Sequence, residues 1–132
     1  MKVLAIRLKP DVDLKQSLKT YVQENNIKAG FIISAIGSLK QATIRYANQN
    51  SSTLLSEKFE ILSLNGTLAI SGIHLHICIA NSQGKTRGGH LDTGCIIYTT
   101  AEIIIGASEE FTFIRTQDEQ TGYKELKIIS ND

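Results

Sequence analysis

Two histidines separated by one residue, His74 and His76, stand in the apolar segment Ile73-His74-Leu75-His76-Ile77-Cys78-Ile79, and the third, His90, follows Gly88-Gly89. Side chains alternate between the faces of a strand, so His74, His76 and Cys78 share one face and the aliphatic residues take the other. Imidazoles at that spacing can reach one divalent ion, and a turn over Ser82 to Lys85 brings His90 back beside them. Three neutral imidazoles with a fourth position open are the ligand set of a catalytic-type zinc centre, where a bound water is acidified or a carbonyl polarised. The plainer alternative is a set of hydrogen-bonded core or surface histidines. Cys78 lies a further same-face step, roughly 6–7 Å, along the strand and is read as packing.

Polar residues inside strand-like runs are the next candidates: Arg7, Arg45, Glu60 and Glu102. Buried unpaired, each would be costly. Glu60 or Glu102 could move protons or orient a ligating imidazole, and Arg7 or Arg45 could hold a substrate carboxylate. The alternative for each is a solvated strand face or an ion pair. No GxGxxG, P-loop, HExxH or GxSxG pattern is present, so phosphate-cradling and hydrolase readings lack a motif.

The elements that must position these residues are mostly strands. Val3 to Leu8 reads as a first strand ended by Pro10; Asp13 is a helix N-cap with Gln16 three positions on, and Leu14, Leu18, Tyr21 and Val22 recur at helical spacing. Strand-like runs follow at 31–37, 42–47, 59–70, 74–80, 94–98, 102–107 and 111–116. Asn65-Gly66 carries the strongest short hairpin signal, and Ser82 to Lys85 a looser one. Gly88-Gly89 reads either as a close backbone approach that aims His90 or as a flexible hairpin end. The expected fold is a single α+β domain, residues 1–132, with a mixed, mostly antiparallel, barrel-like sheet packed with one main helix. One helix cannot cover so many apolar strands, which predicts either a closed, barrel-like sheet or burial against another subunit, and a homo-oligomer is expected.

Composition sets the remaining bounds. With 14 Lys+Arg against 13 Asp+Glu the formal charge is +1, so no global field draws nucleic acid or a membrane surface. The basic residues are scattered, which disfavours DNA binding by the single chain. No apolar run resembles a signal peptide or a membrane span, and the chain reads as cytoplasmic. Cys78 and Cys95 sit in apolar runs outside any CxxC, which favours reduced thiols.

Taken together, Phe59 to Gly66, Gly72-Ile73-His74-Leu75-His76, Gly84-Lys85, Gly88-Gly89-His90-Leu91, Gly94-Cys95 and Ala101-Glu102-Ile103 resemble the PPC (plants and prokaryotes conserved) domain family. That resemblance spans essentially the whole chain, with Ile32 to Gly37 in the place of the family's small-residue strand. It implies a trimer with an acetolactate-decarboxylase-like fold, and a metal cluster, zinc by expectation, at His74, His76 and His90. Relatives in plants join the domain to AT-hooks, and the prokaryotic stand-alone members, the type this chain resembles, are often labelled DNA-binding. Here there is no Arg-Gly-Arg, and the plant Gly-Arg-Phe-Glu-Ile-Leu segment reads Glu57-Lys58-Phe59-Glu60-Ile61-Leu62. Three functions follow: a metal-containing module that binds a small molecule or regulates; a zinc-dependent lyase or decarboxylase-like enzyme on a small oxo-acid; and a DNA-associated protein.

Overall fold

Asp13 caps the one helix as its sequence requires. Its Oδ1 accepts the Gln16 backbone N–H at 2.9 Å, while Oδ2 accepts that of Gly94 at 2.7 Å and so ties the helix start to the sheet. The helix, α1 (Leu14–Glu24), buries Leu14, Leu18 and Val22, the stripe set by their spacing. The computed structural model describes residues 1–132. Around α1 run nine strands: β1 (Lys2–Leu8), β2 (Gly30–Arg45), β3 (Thr53–Leu55), β4 (Phe59–Ala69), β5 (Gly72–Ala80), β6 (Thr86–Leu91), β7 (Ile96–Ala107), β8 (Phe111–Gln117) and β9 (Lys124–Ser130).

Seven strands form one sheet in the order β1-β7-β2-β4-β5-β6, with β3 on β2, and β6 returns to pair with β2. The circuit β2-β4-β5-β6 is therefore closed, and every pairing is antiparallel. The barrel-like α+β expectation is met. Closure rests on the length and bending of β2. The sequence suggests two strands, 31–37 and 42–47, but one 16-residue strand runs through both. Register shifts at Ile32/Ser34, Gly37/Leu39 and Leu39/Gln41 bend it without ending it, so that its far end reaches β6. The runs expected at 94–98 and 102–107 likewise fuse into β7.

Asn65-Gly66 is not a turn. Both residues lie inside β4, opposite His76 and Leu75, and the chain reverses at Ile70-Ser71 instead. A Cβ at Gly66 would sit 2.0 Å from the His74 carbonyl oxygen, and its φ is +139°. The glycine thus serves the close approach of β4 to β5, a use that a hairpin signal does not distinguish. The short β3 and the whole of β9 have no counterpart in the sequence reading. Strands β8 and β9 form a separate hairpin. It is fastened to the barrel by the Phe113 N–H donating to Lys28 O (2.8 Å) and the Ser71 hydroxyl donating to Phe113 O (2.7 Å).

The core lies inside the barrel and under α1, a cluster that includes Leu39, Ile44, Leu75, Ile77, Ile79, Leu91 and Ile97. Leu75, Ile77 and Ile79 belong to β5, so its apolar face points inward and its histidine face outward, as parity requires.

Candidate metal centre

His76 on β5 lies directly opposite His90 on β6, and His90 lies opposite Arg45 on β2. Directly opposed residues point to the same side of a sheet, so the three make one outward-facing row. Asn65 on β4 extends it beside His76, and His74, opposite Thr67, stands two residues before His76 on the same face. Glycine permits this crowding. At Gly89 a Cβ would meet Arg45 O and Ile44 Cγ2, each at 2.7 Å, and at Gly88 it would meet Ile77 O at 3.0 Å. Gly88-Gly89 therefore belongs to a paired strand in tight contact with both neighbours, and the flexible-end alternative falls.

The imidazole centroids are 5.2 Å apart for His74–His76, 5.4 Å for His74–His90 and 5.9 Å for His76–His90. Each ring offers a nitrogen, and these nitrogens all lie within 4.8 Å of one another. An ion at about 2.0–2.1 Å from each nitrogen needs them roughly 3.3 Å apart, a separation inside that 4.8 Å limit. The donor set fits a divalent ion with room for a further ligand. Burial, then Arg115 and His76, holds His74 below its usual pKa. Burial, then Arg45, pushes His90 down to about 4. Both rings are thus neutral at neutral pH, the form that ligates metal.

Beside His74 and His90 opens a cavity of about 790 Å³, bounded on one side by β8–β9 and on another by the loop after β2. Arg45, Arg115, Lys124 and Glu125 line it. Arg115 donates to Thr67 Oγ1 at 2.9 Å, and Arg45 to Gln49 O at 3.4 Å. Neither guanidinium has a carboxylate within ion-pairing distance, for the chain's one ion pair joins Lys40 to Asp11.

Of the other candidates, only Arg45 lines this cavity. Glu60 and Glu102 are exposed and do not line it; Glu102 faces Arg7 on β1 and Ile36 on β2. Arg7 donates to Thr100 Oγ1 at 3.0 Å and lines a separate groove between β1 and α1. Cys78 is half-buried opposite Gly88, outside the histidine group. Cys95 is a buried free thiol whose pKa burial raises to about 11.

Arg115 and Glu125 are the residues that sequence reasoning missed. Arg115 has the same signal as Arg45, a cation inside a strand-like run, and that signal could have found it. Glu125 carries no such mark, because β9 meets the site only through the hairpin fold.

No helix is long and apolar enough to cross a membrane. Residues 1–109 match the sequence profile of the Plants and Prokaryotes Conserved (PCC) domain. A relative, the Bifunctional protein GlmU of Synechococcus sp. (strain JA-3-3Ab), is 51% identical over 128 residues, covering 97% of this chain and 21% of that protein. The chain therefore spans about one fifth of the length of the curated relative it matches. Among solved structures, a hypothetical protein from Salmonella enterica superposes with a TM-score of 0.97 at 39% identity, covering 99% of this chain and 95% of that one. A metal-containing protein from Archaeoglobus fulgidus superposes at 0.81 and 30% identity, covering 96% and 94%. The chain belongs to the plants and prokaryotes conserved domain family.

Proposed function

We propose that this chain is a metal-dependent small-molecule-binding module, in which His74, His76 and His90 hold one divalent ion beside the cavity of Arg45 and Arg115. The observation that carries the reading is the convergence of three ring nitrogens within 4.8 Å where no fourth protein ligand joins them. Neutral imidazoles suit zinc, and also accept nickel, copper or iron. The relative described as metal-containing, at 30% identity over 96% of the chain, supports it. Two free cysteines fit a reducing, cytoplasmic setting.

The domain works as a homo-oligomer, a trimer on the family resemblance. Exposed apolar side chains on neighbouring strands, Ile36 at 58% and Leu62 at 53%, support a covered outer face.

Glu125 supports a second reading, a zinc-dependent enzyme on a small carbonyl compound. A bound ion would polarise the carbonyl or acidify a water, and Glu125, placed in the cavity, is the carboxylate available to exchange a proton there. This role belongs to Glu125 in preference to Glu60 or Glu102.

Cobalt(II) titration of untagged, metal-stripped protein tests the site. Its visible absorption should saturate at one equivalent per chain with the intensity of a four- or five-coordinate centre, and change when a small ligand enters. Absence of that band, or the same band in His74→Ala/His76→Ala, refutes the metal site. Duplex DNA binding that persists near physiological salt and weakens as salt rises would move the assignment to a DNA-associated protein.

A further inference from the structure

The cavity beside the histidines carries a charge that a divalent ion would increase. Its lining holds three cations, Arg45, Arg115 and Lys124, against one carboxylate, Glu125. Three neutral imidazoles contribute no negative charge to an ion they ligate. Both guanidiniums are half-buried, and neither pairs with a carboxylate. The chain as a whole is nearly balanced, at +1 overall.

Both forks are held in place by contacts that leave donors unused. Arg115 donates one N–H to Thr67 Oγ1, and its stem runs over Gly72, where a Cβ would lie 3.4 Å from Arg115 Cγ. Arg45 is placed by the β2–β6 ladder opposite His90, with one N–H on Gln49 O. A guanidinium carries five N–H donors in a planar fork that matches the oxygens of a carboxylate or phosphate.

We propose that Arg45 and Arg115 together form an oxyanion subsite, which takes the carboxylate or phosphate group of a small molecule whose other end reaches the three histidines. The second contact rests on the metal reading above; the oxyanion subsite does not. The cavity, about 790 Å³, is within the range of small-molecule sites. Its lining is mostly polar, which suits a hydrophilic metabolite over an apolar one.

Isothermal titration with malonate and with inorganic phosphate, on both zinc-loaded and metal-stripped protein, tests the subsite and separates the two chemistries. At least one anion should bind both forms, more tightly with zinc, while the uncharged analogue malonamide should not bind. Arg45→Gln and Arg115→Gln should each weaken binding about 10-fold or more, the range for a hydrogen bond to a charged group. Arg115→Lys, which keeps the charge and the stem, should recover part of that loss if Arg115→Gln perturbs folding. Should no metal bind, the metal-stripped titration still decides the subsite. Anion binding unchanged in both glutamine variants, no binding of either anion to either form, or duplex DNA bound more tightly than both anions would overturn the proposal.

Discussion

Gly66 lies so close beneath the carbonyl of His74 that a side chain of any kind would collide with it. A Cβ there would sit 2.0 Å from the oxygen and 3.0 Å from Leu75 Cα, backbone atoms that cannot swing aside. Seating of the strand that carries His74 and His76 thus depends on a glycine in its neighbour.

Gly66→Ala should lower the unfolding free energy by more than about 2 kcal/mol, since it adds a backbone clash to a φ of +139°. Gly84→Ala provides the control. Its φ is +75° but no atom lies within 4 Å of the added Cβ, so it should cost only about 1–2 kcal/mol. Urea unfolding of the metal-stripped variants measures both; equal losses would mean that the β4–β5 contact relaxes easily.

Acid should destabilise the metal-free protein through the histidines. His74 and His90 are held below the ordinary value of 6.5, His90 at about 4, so the unfolded chain takes up protons first on acidification. Their contribution is fully present above about pH 6.5, falls with decreasing pH, and is spent once His90 itself protonates near 4. Asp92, whose carboxyl is held low by the Ser52 hydroxyl, adds a loss of the same sign at lower pH. The decisive comparison is therefore between wild type and His90→Gln, which should lose less thermal stability between about pH 7 and pH 4.5. Identical pH slopes would show that His90 is protonated as readily folded as unfolded.

Much of this arrangement was legible in the sequence because it is local. Period-two alternation sets His74 and His76 against Leu75 and Ile77, and Asp13 with Gln16 marks the helix start. Continuity of β2 was not legible, since bulges around Gly37 and Leu39 resemble strand ends when pairing partners are unknown. The same limit hid the role of Gly66, whose positive φ serves a close approach and not a reversal. Arg115 and Glu125 reach the cavity because β8 and β9 fold over the barrel, a relation that no spacing along the chain records. Glu60 and Glu102 share the sequence signal of Arg45, yet the sheet turns them away from the cavity.

The outer sheet face should be where subunits meet. Ile36→Asp or Leu62→Asp places a charge on a patch proposed to be covered, and sedimentation velocity at micromolar concentration should show a trimeric wild type and smaller species for the variants. A monomeric wild type would mean that Ile36 and Leu62 stay uncovered and that no homo-oligomer forms.

Zinc content of untagged protein, stripped, reloaded and dialysed, decides whether the three histidines hold an ion. About one zinc per chain in the wild type, and none when His74, His76 and His90 are all changed to Ala, is the result expected of a three-histidine site. A wild type that retains no metal, or a triple variant that retains as much, would contradict it.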